Sequence, residues 1–217
     1  MFRDNQIKSL GIATALIVLN IGVMWAFAFT PLAGINDLVF GTFFLLGPLL
    51  YGALLTGGTW IARRAVRNGD EAKAAAGTGL VQLGFGMFGA GIIGYLGSGL
   101  QAVALGITGV ATTGIAVLSG LLVYGTGHDF SSWGRYSNYF FLGVLGLSLV
   151  GSFAHEVILL AFLLSVAGFV TYLIHEIYVT RERPGTPLLN GIGLYVAFMG
   201  VFVHVLQLVV EMLIERE

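Results

Sequence analysis

Cysteine is absent from the 217 residues, which excludes disulfides, thiolate metal sites and thiol nucleophiles. Charge is nearly as scarce: Asp, Glu, Lys and Arg together make 10% of the chain, against about a quarter in a soluble domain. So few charges cannot clothe a water-facing surface, and the outer face must meet hydrocarbon. Basic excess is missing too. A net charge of −1 removes the bulk electrostatic case for a nucleic-acid partner. No HExxH, GxSxG or phosphate-cradling loop occurs, and no helix carries a paired acid. The chain therefore reads as a non-enzyme with no cofactor.

What is present is apolar length. Hydrophobic residues make 57% of the chain, with 33 glycines and only four prolines. That much glycine would be costly in soluble helices, but membrane helices use it to let backbones approach. Seven segments come near the ~20 residues needed to cross a bilayer: residues 10–29, 38–55, 78–96, 100–124, 137–153, 157–179 and 188–214. All are continuously apolar, not alternating, which excludes a β-barrel reading. The expected fold is all-α, a single transmembrane domain over 1–217 with seven helices. Arg3 and Lys8 precede the first run and Ala26-Phe27-Ala28 mimics a signal cleavage site. The run is too long for a typical signal core, so it is read as a retained first helix.

Basic residues set the orientation. Arg3 and Lys8, then Arg63, Arg64, Arg67 and Lys73, then Arg135, then Arg181 and Arg183 lie in the N-terminal tail and the even-numbered loops, all on one side; Arg216 alone falls opposite. The positive-inside rule then predicts a cytoplasmic N-terminus and an outer C-terminus. Compact loops fit a prokaryotic plasma membrane best. The longest loop, 57–77, is polar and basic; it serves as a topology signal, or lies along anionic headgroups. In the third segment Gly86, Ala90, Gly94 and Ser98 are spaced by four, predicting a close helix contact, as do Gly106 and Gly114 in the fourth.

Three stretches resemble the Bax-inhibitor (transmembrane Bax-inhibitor motif) family of seven-helix proteins. Gly127-His128-Asp129-Phe130-Ser131-Ser132-Trp133-Gly134, followed by the apolar run 140–153, is similar to that family's turn between helices four and five. Tyr172-Leu173-Ile174-His175-Glu176 is similar to its Tyr-Leu-Leu-Tyr-Asp, and Leu194-Tyr195-Val196-Ala197-Phe198-Met199-Gly200-Val201-Phe202 to its Leu-Tyr-Leu-Asp-Phe-Ile-Asn-Leu-Phe. The similarity covers roughly residues 78–214. It implies a seven-helix bundle and a calcium leak controlled by pH through two carboxylates, on helices six and seven. The first would be Glu176. The second position holds Ala197, the family's polar Asn is Gly200, and a basic position further along is Gln207, so a shared-proton pair cannot form here as the family builds it.

Ionisable side chains inside a membrane helix cost at least ~2.5–3.5 kcal/mol and so mark candidates. Glu176 reads either as a proton-sensitive gate or cation ligand, or as a carboxylate that snorkels or accepts a hydrogen bond from Tyr195 or Asn190. His204 reads as a neutral, hydrogen-bonded imidazole, or as a titratable replacement for the missing carboxylate with Gln207 one turn on. His155 and Glu156 fit a helix N-terminus. His175 points about 100° away from Glu176, so the two should not share a ligand. His128, His155, His175 and His204 lie at different depths, which disfavours haem. Ser131, Ser132 and His128 fit turn chemistry. No metal ligand set is assigned. The expected function is a Bax-inhibitor-like, pH-sensitive cation (calcium or proton) leak or exchange pathway. Glu176 would be its gate and His204, Tyr195 and Gln207 would line it. The alternative is a non-transporting structural or regulatory subunit of another membrane protein. Lipid bilayer surrounds it in either case.

Overall fold

The computed structural model describes residues 4–41, 46–151 and 155–215. The expectations for Arg3 and Arg216, and for the side chains of Ser98, His155 and Glu156, lie outside that description. Eight helices run in order: α1 Asp4–Phe29, α2 Ala33–Gly41, α3 Leu46–Arg67, α4 Glu71–Ile93, α5 Ser98–Thr126, α6 Trp133–Gly151, α7 His155–Glu182 and α8 Pro187–Ile214. Among the described residues there is no strand. Five helices, α1, α4, α5, α7 and α8, are long and apolar enough to cross a bilayer. The architecture is that of a helical membrane bundle.

The segment 38–55 is not one helix. Its start belongs to the nine-residue α2, residues 42–45 lie outside the described set, and its remainder opens α3. Nor is 57–77 a loop. It is the second half of α3, a turn, and the first turns of α4. Hydropathy ends the span at Leu55 because polar residues follow, but packing carries the helix on. Gly58 and Gly77 bring the α3 and α4 backbones so close that a Cβ at Gly58 would stand 2.7 Å from the Gly77 carbonyl oxygen. The turn needs Gly69 at φ 72°, the left-handed region glycine enters freely. Asp70 then caps α4, accepting from the Lys73 N–H at 3.0 Å.

α8 is the axis of the bundle. It is buried on nearly every face from Asn190 to Leu206, and α1, α3, α4, α5 and α7 pack around it. α6 packs chiefly on α7. At one level α1 and α4 are tied by polar bonds. Asn20 donates to the Gln82 backbone and side-chain oxygens, both at 2.8 Å, and Gln82 donates to the Leu16 carbonyl at 2.9 Å. Such bonds contribute about 0.6 kcal/mol each inside a membrane, up to ~1.7.

The predicted small-residue face is half present. Gly86 lets α4 meet Val23 and Met24 of α1, and Ala90 is buried. Gly94, however, already caps α4, and Ser98 belongs to the next helix. Gly106 and Gly114 of α5 face open space, so the close contact predicted there is not made among the described residues.

One end of the bundle gathers the N-terminal end of α1, the C-terminal ends of α3, α5 and α7, and the start of α8. Gln6 donates to the Arg181 carbonyl at 3.2 Å, Arg181 Nη1 donates to the Val123 carbonyl, and Asn190 donates to the Arg183 carbonyl at 2.9 Å.

Candidate functional site: a buried ion pair between α3 and α7

Tyr172 and Glu176 stand one turn apart on α7 and so share a face. Arg63, in the penultimate turn of α3, reaches that face. Its Nη2 donates to Glu176 Oε1 and to the Tyr172 hydroxyl, each at 2.5 Å. The guanidinium also lies 5.8 Å from the Tyr172 ring centroid, and the Tyr172 hydroxyl is in hydrogen-bonding contact with the same carboxylate. α8 closes the site with Gly193, where any Cβ would collide with Glu176 Oε2 and Arg63 Nη2. The Glu176 side chain is 5% exposed and that of Arg63 28%. Charges taken out of water this far must be paired and hydrogen-bonded, and this pair is both. Among the described residues Arg63 Nε, which is buried, has no acceptor.

Glu176 was therefore legible and its partner was not. It neither snorkels nor accepts from Tyr195 or Asn190. Asn190 is committed to the Arg183 carbonyl. Tyr195 lies two residues past Gly193, about 200° round α8 at 100° per residue. There it is fully buried, its ring 6.0 Å from Phe85 and its hydroxyl without a hydrogen bond. A guanidinium also sits where a bound cation would, so direct cation ligation by Glu176 is blocked while the pair holds. Among the described residues no group of three His, Asp or Glu side chains converges to hold a metal.

His204 is remote from this pair. Gly193 and His204 are eleven positions apart on one helix, roughly 16 Å at 1.5 Å per residue. His204 Nδ1 lies 2.7 Å from the Gly200 carbonyl, and Nε2 lies 2.7 Å from Ser165 Oγ. A carbonyl only accepts, so Nδ1 carries the proton and Nε2 accepts from the serine hydroxyl. Both ring nitrogens are thus hydrogen-bonded. Phe162 and Phe169 flank it at 5.7 and 5.2 Å. Ser165 was not foreseen, since no motif surrounds it. The pair has the contact of a nucleophile and its base. Both side chains are buried, and the bond braces α7 to α8.

Gln207 lies beyond His204 and donates to Glu211 Oε1 at 3.2 Å on an exposed face, away from the ion pair. Ala197 is fully buried among Phe169, Leu173 and Val201, a dry environment. The structure thus does not bring together the four residues expected to line one pathway. The turn expected of Asp129 and Ser131 is present: Asp129 Oδ1 accepts from the Ser131 N–H at 2.8 Å. Beside it His175 Nδ1 meets the Phe130 carbonyl at 3.1 Å, which points the ring away from Glu176.

No family model, no curated protein and no solved structure matches this chain.

Proposed function

We propose that this is a seven-crossing membrane protein in which the Arg63–Glu176 pair is a proton-operated latch on a cation leak or exchange pathway of the Bax-inhibitor kind. Besides the five long apolar helices, α3 and α6 supply the other crossings, about 33 and 28 Å long at 1.5 Å per residue. α2 is then a short piece on the outer side. With the N-terminus in the cytoplasm, every Lys and Arg but Arg216 falls at the inner end, as the positive-inside rule requires. A prokaryotic plasma membrane suits the short connections.

The observation that carries the reading is the 2.5 Å pair itself, which ties α3 to α7 with α8 wedged beneath. Groups facing the carboxylate are Arg63 from α3, Tyr172 from its own helix and the backbone at Gly193. Protonating Glu176 removes the charge that holds Arg63, freeing the ends of α3 and α7 to part. Flux should therefore rise as pH falls. In proteoliposomes loaded with a calcium dye, wild type should leak more at acid pH. Glu176→Gln should leak at all pH values, and His204→Ala should retain the pH response. Equal flux in all three, or none in any, removes the pathway.

A second reading has its own observation. At Gly99, Gly106, Gly109, Gly114, Gly120 and Gly125 of α5 an added Cβ would meet no described atom within 4 Å, beside the exposed Val110, Leu118 and Leu121. A non-transporting subunit would seat a partner's helix there. Mild-detergent purification separates the readings: a stoichiometric membrane partner favours the subunit and a homogeneous monomer opposes it.

A further inference from the structure

A cleft of about 520 Å³ opens at the C-terminal end of α3, lined by Trp60, Arg63, Arg64, Arg67 and Asn68. Among the described residues no carboxylate lines it. Glu176 neutralises Arg63, whereas among the described residues Arg64 and Arg67 have no acidic partner within ion-pair distance. Two positive charges are thus left uncompensated in one concavity.

The ordinary reason for arginines in a last turn is to satisfy the final carbonyls. Backbone groups already do that here for Arg64, Ala65 and Val66. Asn68 N–H bonds the Arg64 and Ala65 carbonyls, Gly69 N–H bonds that of Val66, and Asp70 N–H bonds that of Ala65. The guanidiniums are left for something else. Arg64 lies over the Trp60 ring at 5.3 Å, which fixes the plane of its donors. Arg63, on the cleft wall, has a buried Nε lacking an acceptor among the described residues. Planar donors fixed around a positive concavity match a phosphoryl oxyanion. Trp60 is 61% exposed, an amphipathic ring of the kind that sits at headgroup level, and it places a bilayer beside the opening.

We infer that this cleft binds the phosphate of an anionic phospholipid headgroup. The inference rests on the bilayer placement proposed above, which labelling of single cysteines tests separately, and it does not depend on transport. Free phosphate shares the oxyanion chemistry, but the exposed indole beside the arginines favours the lipid.

Thermal unfolding of the purified full chain in neutral detergent, titrated with short-chain phosphatidylglycerol, short-chain phosphatidylcholine or inorganic phosphate, tests this. Phosphatidylglycerol should raise the melting temperature saturably, with one site per chain, and the other two should not. The double variant Arg64→Gln/Arg67→Gln should bind roughly twenty-fivefold more weakly, at about fivefold per basic residue. Lys73→Gln/Arg135→Gln, with the same change in net charge, should bind like wild type. Equal weakening in both double variants, an equal response to inorganic phosphate, or no saturable response overturns the site. Should the glutamine variant fail to fold, Arg64→Lys/Arg67→Lys keeps the charge and loses the fork geometry. It should bind severalfold more weakly, and unchanged affinity overturns the inference.

Discussion

Arg63 and Glu176, 113 positions apart in sequence, meet at 2.5 Å with one partner nearly dry and the other partly wet. That asymmetry has an energetic signature. Arg63→Gln leaves a carboxylate buried without its counter-charge, a loss of about 3–5 kcal/mol. Glu176→Gln leaves a guanidinium that can turn toward water, so it should cost clearly less. The double variant should fall short of the sum of the two. Reversible unfolding in mixed micelles measures all three, and equal or additive losses would contradict the pairing.

Gly193 is the floor under that pair. Gly193→Ala places a methyl group against Glu176 Oε2 and Arg63 Nη2, so the carboxylate must move or α8 must back away. Overpacking of this sort costs about 1–3 kcal/mol. Alanine at the neighbouring open position Gly185 should cost little, because nothing lies within 4 Å of its added carbon. Matching melting temperatures for the two variants would refute the close approach.

The His204 bonds define one tautomer. Nitrogen NMR of histidine-labelled protein should show the proton on Nδ1, bonded to the Gly200 carbonyl. Ser165→Ala removes the donor to Nε2 and should cost roughly 0.6–1.7 kcal/mol. An Nε2–H signal would reverse the donor assignment.

Outside the spans, Asp129 is held below the usual carboxylate range, first by the Ser131 backbone N–H and then by the Tyr178 hydroxyl. A depressed folded value adds stability above the unfolded value of about 3.9, and that stability is lost as pH falls through the lower folded value. Protection of the Ser131 amide, measured against its intrinsic exchange rate, should therefore fall below about pH 4. Asp129→Asn keeps an acceptor for the turn and should abolish that dependence. An Asn variant with the same acid response would place its origin elsewhere.

Hydropathy alone made the long apolar helices legible, because in lipid each must satisfy its own backbone. It failed where tertiary contact supports polar sequence. α3 runs on to Arg67 because Gly58 and Ala62 seat α4 at Gly77 and because Arg63 finds Glu176. The helical spacing of Gly58, Ala62 and Ala65, all on one small-residue face, was the available signal. Gly106 and Gly114 erred in the other direction: small residues permit close packing without saying that a helix of the same chain supplies it. Glu176 stood out as an acid in an apolar run, but no local pattern joins it to a residue on α3.

The central position of α8 bears on biosynthesis. α1 through α7 emerge from the ribosome before the element they surround exists, so each must wait in the lipid with its inward face provisionally covered. Arg63 and Glu176 can join before Gly193 arrives to seal them, and the bundle closes only when α8 packs among the helices made before it. Marked sensitivity of folding yield to changes along α8 is what that order of assembly entails.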